Sequence, residues 1–194
     1  MAFERLTGSN AALLLIDHQV GTIKMVSSMP GGELKQNAVM LAKTAHILGM
    51  PIVLTTSMED HQQGPLIDEL QEISRDAFDA RVKRTGIVNA MEDPLFAQAV
   101  QTTRRQRFIL AGVTNDVCTV FPALSLLDRG HEVFVVADAG GSPSAMGDNL
   151  ALRRMERAGA TVLGTGQVVA ELAENWSSPQ GQEILQKVIA PAMR

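Results

Sequence analysis

Apolar runs of strand length alternate with helix-length amphipathic segments along the whole chain, and this alternation predicts an α/β fold: three αβα layers around a doubly wound parallel sheet of about six strands. Two further observations support it. The runs Ala11 to Ile16, Ile52 to Leu54, Phe108 to Val113 and Val133 to Val136 are almost wholly apolar, as strands covered on both faces must be. Each run is followed by polar or glycine-rich residues, so side chains with chemistry collect at one edge of the sheet. With strand order 3-2-1-4-5-6, a Rossmann-like winding, the first and fourth strands are neighbours where the winding reverses. A ligand crevice then opens beyond their carboxyl ends.

The first strand, Ala11 to Ile16, delivers Asp17, His18 and Gln19 to that edge. After Pro30, Gly31 and Gly32 a helix is expected from about Glu33 to Leu48, with Leu34, Ala38, Leu41, Ala45 and Leu48 on one stripe and Gly49 as its stop. Ile52 to Leu54 is the second strand, and Thr55, Thr56 and Ser57 are its polar end. Between Met58 and Phe78 the signals weaken. Gly64-Pro65 marks a turn, Leu66 to Ile73 suits a short helix, and Ala80 to Lys83 is a weak third strand. Asp93 and Pro94 supply an N-cap and a first helical position, and Leu95, Phe96, Ala99 and Val100 supply that helix with a buried face.

The fourth strand leads through Thr114, Asn115 and Asp116 to Cys118, at or just before the first turn of a helix that carries Val120, Phe121, Leu124 and Leu127 and ends at Gly130. There the unpaired N–H groups and the positive end of the helix dipole favour a thiolate. The same lone cysteine also fits a small buried apolar side chain, and Thr114 to Asp116 fit ordinary helix capping. The fifth strand, Val133 to Val136, ends in Ala137, Asp138, Ala139, Gly140 and Gly141. A helix from roughly Asp148 to Ala158, a short sixth strand at Thr161 to Leu163 and a helix from Gln167 to Trp176 follow. Residues 1–194 read as a single domain, in which 177–194 form a C-terminal helical extension suited to oligomer contacts.

A chain of 194 residues with 45% hydrophobic content fills one core. Its net charge of −4, with no basic cluster beyond Arg104, Arg105 and Arg107, argues against nucleic acid as a partner. One cysteine excludes an intrachain disulfide. The N-terminal MAFERLTGSN lacks the basic region and apolar core of a signal segment, and no run reaches the length of a membrane span, so no membrane partner and a cytoplasmic location are expected. His18, His46, His61 and His131 have no metal-ligand spacing, and no glycine-rich phosphate loop is present; neither metal nor cofactor is expected.

In the crevice Asp17 and Cys118 would meet as base and nucleophile. An aspartate alone is a poor base for a thiol of ordinary acidity. A cation stabilising the thiolate closes the gap, and Lys83 or Arg84, leaving the third strand, is the candidate.

These segments carry a resemblance. LLLIDHQVG, AGVTNDVC and GHEVFVVADA, with TTS after the second strand, GPL in the next loop and a late Glu171, Leu172, Asn175, Trp176, resemble the isochorismatase-like cysteine hydrolase superfamily, above all its octameric YcaC-type branch. The likeness runs from about Asn10 to Trp176, with the motifs in order. It implies a triad of Asp17, Arg84 and Cys118, with Arg84 chosen over Lys83 because RTGIVNAM aligns with the branch that has arginine there. It also implies a cis peptide within Gly112-Val113-Thr114, an oxyanion hole from the N–H groups of Thr114 and Cys118, and a homo-oligomer, an octamer in that branch. Asn115 stands where the family usually has threonine, and Thr119 where it has an aliphatic residue; Asn115 keeps the hydrogen-bonding ability and bears on selectivity. Met25, Phe78, Phe121 and Trp176 are candidates to line the pocket. The expected activity is hydrolysis of a small-molecule amide or related carbon–nitrogen bond through a thioester. A redox- or electrophile-sensing thiol, or an oligomeric scaffold without turnover, is the alternative.

Overall fold

Strands β1 (Ala11–Ile16), β2 (Ile52–Ser57), β3 (Val82–Arg84), β4 (Arg107–Gly112), β5 (Glu132–Val136) and β6 (Thr161–Leu163) form one parallel sheet in the order β3-β2-β1-β4-β5-β6. They belong to a computed structural model that describes residues 5–193; the first four residues of the N-terminal segment and Arg194 of the C-terminal extension lie outside it. Every residue of β1 and β4 is buried, which explains the apolar sequence of β1 and of β4 beyond Arg107, whose charge pairs with Glu132. Alternate residues divide between two cores. Ala12, Leu14, Ile16, Phe108 and Leu110 pack with Phe96, Val100, Ala123, Leu126 and Met155 on one face. Leu13, Leu15, Ile109 and Ala111 pack with Leu41, Ala45 and Val168 on the other. Each fully buried leucine contributes about 2 kcal/mol of transfer free energy, so the central strands anchor the sheet edge where they end.

The helices follow their capping residues more closely than their apolar stripes. Asp93 accepts from the N–H groups of Leu95 and Phe96, and the helix Pro94–Thr102 starts there. Ser144 accepts from Gly147 N–H at 3.0 Å, so the helix Ala145–Ala158 begins three residues before the expected Asp148. The helix Gly31–Ile47 covers the sheet beside Thr165–Ala173. That second helix stops short of Trp176, because Glu174 takes a left-handed φ of 56°.

The weakly legible segment resolves into two short helices, Asp68–Ile73 and Arg75–Asp79, and a third strand that extends to Arg84. The C-terminal extension is not one helix. It runs as Pro179–Ile184, a π-helical turn at Leu185–Ile189 and Ala190–Ala192, and Ile184 and Val188 pack on Val169 and Ala173. Among the described residues no helix is long and apolar enough to cross a membrane.

Candidate active site

Three strand ends build the site. β1 stops at Ile16, and Asp17 turns out of the sheet with φ of 58°, a left-handed conformation that aspartate tolerates better than most residues. Its N–H still donates to Thr55 O at 3.0 Å, which holds the residue at the sheet edge. β3 lies two strand spacings from β1, about 10 Å. A long side chain is needed to cross β2. Arg84 does so: Nε donates to Thr55 Oγ1 at 3.1 Å, Nη1 to Ile87 O, and Nη2 to both Asp17 carboxylate oxygens at 2.6 and 2.5 Å. Both residues are almost fully buried, at 1% and 3% exposure. Lys83 points the other way, 61% exposed and paired with Glu59 at 2.8 Å, since alternate residues of a strand face opposite sides.

β4 supplies the cysteine. Beyond Gly112 the Val113–Thr114 peptide is cis, and Asn115–Thr119 form a single π-helical turn ahead of the helix Val120–Asp128. Thr114 O accepts from the N–H groups of Val117 and Thr119 and passes over that of Cys118. The turn is tied to the segment after β5. Asn115 N–H donates to Gly141 O at 2.8 Å, and its Nδ2 donates to Ala137 O at 3.2 Å and Asp148 Oδ1 at 3.1 Å. Asp116 N–H donates to Ser142 Oγ at 3.2 Å, and that hydroxyl donates to Asp148 Oδ1 at 2.8 Å. Thr119 Oγ1 donates to Gly112 O at 2.9 Å. Asn115 and Thr119 therefore both stitch the turn in place.

Cys118 is half-buried, and its thiol hydrogen-bonds to Asp17. Burial and the Asp17 charge push the thiol up from its ordinary 9.0, against the weaker opposing pull of Thr114 N–H and Arg84. This reverses the expectation of a thiolate favoured by the helix dipole, because the adjacent carboxylate and the loss of solvent outweigh it. Burial likewise raises Asp17 above its ordinary 3.8, with Arg84 and the thiol pulling the other way. The carboxylate is thus a stronger base than one in water, and the thiol a weaker acid.

Asp17, Arg84, Thr114 and Cys118 lie together in a cavity of about 240 Å³. Met25 borders it, as expected from the sequence. The other expected lining residues are placed elsewhere. Phe121 packs into the core beside the helix, with the Arg154 guanidinium 5.7 Å from its ring. Phe78 lies 4.2 Å beneath Arg81, and Trp176 sits at the C-terminal turn, where its carbonyl accepts from Gln182. Asn115 is fully buried behind the cysteine turn and holds backbone rather than facing the cavity. The walls come from residues the sequence did not single out: Met58, Ile87, Val88 and Val117. Gln19 braces them, its carboxamide accepting from Ser57 N–H at 2.8 Å and donating to Ser57 O at 2.9 Å. Its place two residues after Asp17 was the one available signal. Among the described residues no three His, Cys, Asp or Glu side chains converge to hold a metal ion.

The Isochorismatase domain matches residues 11–167 of this chain. The chain belongs to the isochorismatase family. Within it, the chain is 36% identical over 174 residues to the probable hydrolase YcaC of Escherichia coli, covering 90% of this chain and 83% of that one. The structure of YcaC from Pseudomonas aeruginosa with hexane-2,5-diol and covalent acrylamide superposes with a TM-score of 0.91 at 36% identity, covering 98% and 95% of the two chains. The E. coli YcaC structure, an octameric hydrolase of unknown specificity, gives 0.91 at 35% identity over 98% and 94%. The isochorismatase-like fold and a hydrolase role follow from this membership.

Proposed function

We propose that the protein is a cysteine hydrolase that cleaves a small amide or related carbon–nitrogen bond through a thioester on Cys118. The observation that carries this reading is the buried Asp17–Arg84 pair hydrogen-bonded to the only thiol at the floor of a small cavity. The covalent acrylamide of the P. aeruginosa relative is in keeping with it.

The substrate carbonyl docks with its oxygen toward the N–H groups of Thr114 and Cys118, which stabilise the oxyanion. Asp17 takes the thiol proton as sulfur attacks, and hands it to the amine as the carbon–nitrogen bond breaks. Water then attacks the thioester, loses a proton to Asp17 and yields a carboxylic acid, while sulfur regains its proton. Net, amide and water become acid and amine. Arg84 keeps its charge throughout and holds the carboxylate in place. The presence of Asp17 and Arg84 beside the thiol favours this reading over a redox or electrophile sensor, which needs only an accessible thiolate. By likeness to the octameric relative, the subunits form a homo-oligomer, with an octamer expected; the small cavity suits a small-molecule substrate.

Amine release from a panel of short amides tests the proposal. Cys118→Ser and Asp17→Asn should each lose about a thousandfold or more in kcat/KM. Undiminished turnover in Cys118→Ser would overturn it.

A further inference from the structure

Among the described lining residues of the cavity, the only charged groups are Asp17 and Arg84, and each is committed to the other. Arg84 donates from all three of its nitrogens, to Thr55, Ile87 and Asp17, and its side chain is only 1% exposed, so little of the guanidinium is open to a second anion. The rest of the lining is uncharged. Met25, Ile87, Val88 and Val117 are part-exposed, at 37 to 58%, and form an apolar rim, while Ser57 and Gln63 contribute neutral polar groups. The one nearby cation on the same strand, Lys83, faces away and is held by Glu59.

From this we infer that the site selects uncharged, short aliphatic acyl compounds and rejects substrates that carry a carboxylate on the acyl arm. The inference rests on the hydrolase reading of Cys118 and adds a substrate class to it. A volume of about 240 Å³ limits the acyl group to a few carbons beyond the reacting carbonyl. An anionic arm would shed its hydration among methionine and valine side chains with no counter-charge. The same property acts on the product. Hydrolysis turns a neutral amide into a carboxylate, which the cavity then disfavours, so chemistry itself drives release.

The test compares iodoacetamide with iodoacetate, reagents of equal length that deliver the same carbon to sulfur and differ in one charge. Because the chain has a single cysteine, intact mass reads one site. The urea-unfolded chain gives the intrinsic rate ratio. In the folded protein, iodoacetate should be disfavoured by about tenfold or more beyond that ratio. Val88→Lys, which sets a cation at the rim, should recover about threefold or more of the difference. Short neutral amides should protect Cys118, and the matching carboxylates should not.

An unaltered ratio, or faster labelling by iodoacetate, overturns the inference whatever the turnover results. Because burial and Asp17 hold the thiol protonated, labelling is run at the highest pH at which the fold persists; failure of both reagents there, with the unfolded chain labelled, also overturns the inference, since the cavity is then not the route to sulfur. Charge discrimination without hydrolysis of any amide leaves the selectivity standing and removes the hydrolase reading instead.

Discussion

Asp17 is buried against Arg84 at a desolvation cost that is offset mainly by their mutual contact. Removing one partner therefore exposes the cost of the other. Arg84→Met should destabilise the protein by about 3 kcal/mol at neutral pH, read from urea midpoints, and Asp17→Asn combined with it should cost less than the sum of the two single changes. Additive losses would mean the pair is not coupled. At this scale Asp17 and Cys118 were legible because each follows an apolar strand. Arg84 was not separable from Lys83 without the family resemblance, since inward and outward alternation on a three-residue strand depends on register. The thiol's acidity was misjudged for a different reason: the helix terminus is visible in sequence, whereas the charge of a residue 101 positions away, and the burial around both, appear only in the fold.

The turn Asn115–Thr119 is held as an element by the segment after β5. Asp148 Oδ1 accepts from both Asn115 and Ser142, and Asp148→Ala leaves two donors without that acceptor. A loss of about 1 to 3 kcal/mol in stability is expected, with a larger relative loss of Cys118 reactivity than of fold. Gly140 matters by close approach: a Cβ there would lie 2.2 Å from Asn115 Oδ1 and 2.6 Å from Gly112 O. Gly140→Ala should therefore displace the cysteine turn, which alkylation kinetics and thermal melting would report together; unchanged kinetics would show that the turn does not depend on this contact. The sequence marked the segment as a polar, glycine-rich edge without saying what it holds. Its capping serine, Ser144, was passed over in favour of Asp148, which serves the network and not the helix start.

At the scale of the molecule, the doubly wound parallel sheet was readable from alternation and apolar content, and the order 3-2-1-4-5-6, taken as one of the few topologies open to such a sheet, is the one the structure has. The cavity walls were not readable, since Met25, Met58, Val88 and Val117 come from four separate segments, three loops and the π-helical turn, and converge only after folding. The buried His18 couples the fold to pH. Burial lowers it from 6.5 to about 4, with its hydrogen bond to Ala139 O opposing, so protons bind the unfolded chain more tightly. Its stabilising contribution is complete above pH 6.5 and is lost as pH falls toward 4, on the order of 3 kcal/mol in all. His18→Gln should flatten that part of the stability profile.

The central claim is that Asp17, Arg84 and Cys118 form one electrostatic unit with its proton resting on sulfur. One cysteine and no tyrosine make the ultraviolet thiolate absorbance of this chain free of other titrating side chains of similar absorbance. On raising the pH, the parent protein should show no thiolate signal through the range around 9.0 where a free thiol titrates, and Asp17→Asn should bring the signal down toward that range. A parent thiolate appearing at or below 9.0, with a titration that Asp17→Asn leaves unmoved, would contradict the account.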